Sequence, residues 1–143
     1  MIKLLITKVA LALAFAVACN ALAADTSPHK RRVVLQVSDD DEETWEQALK
    51  LAENMLANAG GKDRIDIQIV AMSPGIGMVV NDSSVAGRVS KAAEKGIRVR
   101  ACAYTLGVRH LSADKLAPGV KTVPFGALDI VDKQNEGWAY IKP

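Results

Sequence analysis

The sequence predicts an α/β protein with a mostly parallel sheet, and three observations carry that reading. Short β-branched runs alternate with longer amphipathic stretches from residue 33 onward. Those stretches are long enough to be helical crossovers, which favour parallel, right-handed connections. Breaks bearing glycine or proline separate most of the segments, as turn chemistry requires.

The first strand is Val33-Val34-Leu35-Gln36-Val37, a run suited to burial on both faces. An acidic stretch, Asp39 to Glu43, precedes a helix. In it Trp45, Ala48, Leu49, Ala52, Met55, Leu56 and Ala59 recur at three- and four-residue spacing and form one apolar stripe. Gly60-Gly61 ends that helix. Ile65, Ile67 and Ile69 alternate with Asp66 and Gln68 in a second strand that runs through Ala71. Ser73-Pro74-Gly75-Ile76-Gly77 reads as a turn or loop. Asp82, Ser83 and Ser84 offer N-caps to a helix running to about Lys95, stopped by Gly96. Ile97 to Ala101 is the third strand, and a short helical or irregular segment follows it. Val120 to Val123 makes a fourth, short strand. Pro124 suits a helix start, with the helix ending at Gly137, and Trp138 to Ile141 gives a last strand.

The N-terminus has the three-part pattern of a secretory signal. Lys3 and Lys8 supply the charged region, Val9 to Ala18 is uncharged and apolar, and Ala21-Leu22-Ala23 supplies a small-residue cleavage site. The apolar run is shorter than the about 20 residues of a membrane-spanning helix. Residues 1–23 are therefore expected to be removed and the protein to be periplasmic, with no membrane contact afterwards. A lipoprotein signal ending at Cys19 ranks below this, because the large aliphatic residue that opens such a box is absent. Residues 24–32 read as a flexible basic segment and 33–143 as one α/β domain, large enough to bury a core. Loss of Lys3 and Lys8 brings the formal net charge from +2 to zero. With no basic excess and few aromatics, nucleic acid is not an expected partner.

Cleavage also leaves Cys102 as the one remaining thiol. A lone thiol in an exported protein has no intramolecular disulfide partner. It is then either an apolar filler or a reactive group. Functional loops of a parallel sheet lie beyond the carboxyl ends of its strands. That rule gathers Ser38 to Glu43, Ser73 to Gly77, and Cys102 onward at one edge. Arg98, Arg100 and Cys102 share one face of their strand by the period of two. A central strand covered on both faces should not be half arginine, so this one lies near an edge or meets another subunit. Other candidates are bland. The acidic run caps its helix rather than holding a cation. Gly75-Ile76-Gly77 lacks the third glycine of a dinucleotide loop, Val80 standing in its place. It reads better as a turn whose backbone N–H groups hold a small anion or cap a persulfide. His29, His110 and one cysteine do not form a zinc set. Trp45 and Trp138 read as core or interface anchors.

Several motifs in order make the chain resemble a known family. They are Val34-Leu35-Gln36-Val37-Ser38-Asp39-Asp40-Asp41 with Trp45, Ser73-Pro74-Gly75, Ala101-Cys102 with Thr105-Leu106, Val123-Pro124 with Gly126, and the ending from Gln134 to Pro143. Together they resemble the DsrE/DsrF-like family, in particular its exported single-domain branch. The resemblance implies a three-layer α/β/α fold with a five-stranded, mainly parallel sheet. It implies homo-oligomers, such as trimers or hexamers. It also implies a cysteine that takes up sulfur as a persulfide from a donor protein and passes it to an acceptor thiol. Cys102 is the matching residue. Family members often carry Asn two positions after the cysteine, where this chain has Tyr104.

The expected function is thus a periplasmic sulfur relay with Cys102 as covalent carrier. Thr105, Tyr104, Arg100, Ser73 and Gly75 are the supporting residues, and no organic cofactor or metal is required. The alternative is a non-enzymatic oligomeric binding module in which Cys102 is inert. A third reading is a redox sensor forming Cys102–Cys102 disulfides between chains.

Overall fold

The computed structural model describes residues 29–143. The signal segment 1–23, Cys19 and residues 24–28 lie outside them. Five strands, β1 (Arg31–Val37), β2 (Ile65–Ala71), β3 (Arg98–Cys102), β4 (Lys121–Val123) and β5 (Ala139–Ile141), form one sheet in the order β4-β3-β2-β1-β5. Every strand pairing is parallel. Four α-helices connect them: α1 (Glu42–Ala59), α2 (Ala86–Glu94), α3 (Ala103–Val108) and α4 (Gly126–Asn135). The expected α/β class and five-stranded sheet are therefore present.

Side-chain alternation assigns the two faces. Val33, Leu35, Val37, Ile65, Ile67, Ile69, Ala71, Val99 and Ala101 point into the larger core, beneath α1 and α2. Val34 and Val70 point the other way and pack with Ile130 and Trp138 under α4. One face thus carries two helices and a large core; the other carries one ten-residue helix. Cys102 belongs to the thinly covered face, at the carboxyl end of its strand.

The acidic run does cap α1. Asp41 stands at the N-cap and accepts the Thr44 N–H at 2.9 Å, and Glu42 and Glu43 fill the first turn. Trp45 is half-buried against the core and donates its indole N–H to the Asp39 carbonyl at 2.7 Å.

Several element boundaries differ from expectation, β4 and β5 each starting one residue late. β1 begins at Arg31, because Arg31 N–H reaches the Arg64 carbonyl and extends the ladder with β2. β3 is shifted by one residue: Ile97 N–H closes the end of α2 on Ala92, while Cys102 pairs with Val123. The segment Ser73–Val79 is not a plain loop but a 3-10 helix. Asp82, Ser83 and Ser84 do not cap α2, which starts later with Val85 at its N-cap and no side-chain cap. The cause is tertiary. Val80 bridges Leu116, Asn81 N–H bonds the Lys115 carbonyl, and Ala117 N–H bonds the Val79 carbonyl. Those contacts hold Val80 extended and leave Asn81 to Val85 as turns and a bend.

Candidate functional site

Cys102 ends β3 and stands at the N-cap position of α3. The strand delivers its side chain to the α4 face, and the helix turns its first N–H groups toward the same sulfur. The sulfur is only 2 % exposed. Its resolved hydrogen bond comes from the backbone N–H of Gly126, at 3.2 Å. Gly126 is the first residue of α4, so two helix starts meet at one sulfur.

Gly126 has a steric reason to be glycine. A Cβ there would lie 3.2 Å from Cys102 Cβ, 3.2 Å from Val70 Cγ1 and 3.3 Å from Met72 Cβ. Without that side chain, α4 settles close enough to the sheet for its N–H to reach the sulfur. Tyr104 N–H bonds the Pro124 carbonyl at 3.2 Å and ties the start of α3 to the loop before α4. The Tyr104 and Phe125 rings meet edge to face at 5.2 Å beside the same junction.

Burial pushes the Cys102 thiol up, because a thiolate loses hydration. Hydrogen bonding acts against it, led by the Thr105 hydroxyl, then the Gly126 N–H and the backbone at the start of α3. The donors prevail, and the thiol lies below its ordinary range. Thr105 is suited to its part. Its Oγ1 accepts the Ser73 N–H at 3.1 Å, which leaves its own proton free for the sulfur. Ser73 takes a left-handed conformation, φ 53°, as it makes this bond.

The supporting residues read from the sequence divide cleanly. Thr105 and Ser73 join Cys102 in one hydrogen-bonded chain. Tyr104 contributes its backbone N–H, while its side chain is exposed. Gly75 does not serve the sulfur. A Cβ on it would stand 2.4 Å from the Val37 carbonyl oxygen, so its small size serves the packing of the 3-10 helix on β1. Arg100 lies on the Cys102 face, but its charge acts on Asp129. Arg98 pairs with Asp66 at 3.2 Å and lies 5.4 Å from the Trp138 ring centroid. Contacts within the chain account for Arg98, and β3 is second from the sheet edge.

Sequence reasoning passed over Gly126 as a donor, and with it Gln68 and Asp129. Gln68 Nε2 donates to Asp129 Oδ2 at 2.6 Å. Gln68 alternates with isoleucines and reads as solvent-facing, yet it is 2 % exposed because α4 covers it. The Val123-Pro124-x-Gly126 spacing was the available signal for Gly126, since a glycine opening a helix beside a strand end marks close approach.

Comparison with solved structures gives two relatives. A protein of unknown function from Methanobacterium thermoautotrophicum is 35 % identical, with a TM-score of 0.75 over 79 % of this chain and 99 % of that one. A conserved protein of unknown function from Bacteroides thetaiotaomicron, 14 % identical, shares the fold with a TM-score of 0.66 over 83 % of this chain and 100 % of that one. No curated protein matches. The DsrE/DsrF-like family model matches residues 31–143, the sheet and all four α-helices, and the chain belongs to that family.

Proposed function

We propose that the protein is an exported sulfur carrier that holds sulfane sulfur as a persulfide on Cys102. The observation that carries this reading is a sulfur that faces a donor set, the Gly126 N–H at 3.2 Å and the first turn of α3, and that is depressed toward the thiolate. A filler cysteine needs no such set, because a neutral thiol is a weak acceptor. Membership in the DsrE/DsrF-like family supports the same chemistry.

The reaction balances without an outside oxidant. The Cys102 thiolate attacks the outer sulfur of a donor persulfide. A new S–S bond forms at Sγ, the donor's S–S bond breaks, and the donor leaves as a thiolate. An acceptor thiolate then attacks the outer sulfur on Cys102 and regenerates the Cys102 thiolate. The Gly126 and Thr105 donors stabilise the sulfur anion that begins and ends the cycle. Periplasmic location is part of the proposal and rests on the N-terminal signal pattern. So is self-association, which the exposed apolar side chains of Tyr104, Phe125, Leu128 and Val131 support.

Intact mass before and after polysulfide treatment, with a Cys102→Ser control, tests the carrier. A reducible gain of sulfur confined to the cysteine form is the expected result. Absence of any gain on a folded protein with a free thiol would overturn it. The second reading, a binding module with an inert cysteine, draws on the near-complete burial of the sulfur. It requires Cys102 to resist alkylation until the protein unfolds.

A further inference from the structure

Two buried polar side chains stand out among the described residues, Gln68 and Thr105. Thr105 serves the sulfur directly. Gln68 sits on β2, the middle strand, where an apolar residue would pack without needing a partner. Its amide is directed to one group, the Asp129 carboxylate, at 2.6 Å. Asp129 lies three residues, or about one helical turn, beyond Gly126 on α4. The helix carrying the sulfur's backbone donor is thus fastened to the sheet one turn past that donor.

We propose that Gln68 and Asp129 are positioning residues for Cys102, a latch that sets the approach of α4 so that the Gly126 N–H reaches the sulfur. This rests on the reading of Cys102 as the working group of the protein. Neither residue touches the sulfur. Their effect passes through the backbone of α4, which lies so close to Cys102, Val70 and Met72 that a Cβ at Gly126 would stand only 3.2–3.3 Å from them. Apolar packing of Ile130 and Trp138 on Val34 and Val70 holds the middle and end of the helix. The latch holds its first turn. Burial raises the Asp129 carboxyl above its ordinary range against the opposing charges of Lys133 and Arg100, so the pair is kept at a cost that packing alone does not demand.

The test is the pH dependence of Cys102 alkylation in the folded, full-length protein. It is read on the Cys102 peptide by mass spectrometry, with far-UV circular dichroism as the fold control. Asp129→Asn keeps an acceptor for Gln68 and should titrate near wild type. Asp129→Ala and Gln68→Met break the latch and should move the midpoint upward by about one unit. That is a roughly tenfold loss of thiolate below the midpoint. A purely structural pair would lower the melting temperature of both variants and leave the midpoint in place, and that outcome overturns the proposal. If Asp129→Ala does not fold, Gln68→Met decides alone, since its side chain fills nearly the same volume.

Polysulfide loading of wild type, run in parallel, separates the two ideas. A moved midpoint without loading retains the latch and removes the sulfur carrier. Loading with unmoved midpoints does the reverse.

Discussion

Gly126 donates its backbone N–H to Cys102 Sγ across 3.2 Å, and the same residue would collide with Cys102 Cβ if it had a Cβ of its own. Donation and close approach are one requirement. Gly126→Ala meets three neighbours at 3.2–3.3 Å, so they or the start of α4 must give by a few tenths of an ångström. Overpacking of this kind costs about 1–3 kcal/mol. The expected outcome is a lower urea midpoint together with a higher alkylation midpoint for Cys102. Lost stability with an unchanged thiol would show that the Gly126 donor is not needed.

Thr105→Val removes the hydroxyl and keeps the shape. The sulfur loses its strongest donor, so its pKa should rise. Ser73 N–H loses its acceptor as well, and an unmet buried donor costs about 1–3 kcal/mol. Chemical denaturation and the alkylation profile together read both effects. Thr105→Ser restores the hydroxyl and should recover most of the thiol's acidity.

The acidity of Cys102 also makes stability depend on pH. Its folded pKa lies below that of an unfolded thiol, ordinarily 9.0. Between those two values the unfolded chain holds more protons, so unfolding becomes harder as pH rises. The stabilisation is complete above the unfolded pKa and is lost as pH falls through the folded one. Wild type should therefore gain stability relative to Cys102→Ser as pH rises from neutral toward 9. Parallel curves for the two proteins would count against a depressed thiol.

Ser73 holds φ 53° without being glycine. Such a backbone costs a non-glycine residue of order 1 kcal/mol. Ser73→Gly keeps the N–H that bonds Thr105 and removes the strain. It is expected to melt at an equal or higher temperature with an unchanged thiol titration. A marked loss of stability would mean that the serine hydroxyl has a role of its own.

Much of this architecture is legible in the chain. β1, β2 and α1 announce themselves because β-branched runs, an isoleucine alternation and an apolar stripe are local signals. Cys102 is found the same way, from a strand end followed by a turn, whereas Thr105 comes from the motif shared with the family. Other features depend on residues distant in sequence. The start of α2 is decided by Val80 and Asn81 pairing with Leu116 and Lys115, so the capping residues before it are overruled. Gln68 looks solvent-facing beside Ile67 and Ile69 until α4, some sixty residues later, lies over it. Gly126 looks like punctuation until the helix it opens is seen against Cys102.

The 2 % exposure of Cys102 has a kinetic consequence. A reagent reaches so buried a thiol only when the packing around it, at the junction of α3 and α4, opens. Chemistry at this site therefore waits on a local opening, in the way amide exchange waits on the breathing of a helix. When closing outpaces reaction, the observed rate is the thiolate's intrinsic rate multiplied by the fraction of time the junction is open. Small and bulky alkylating agents then report openings of different width.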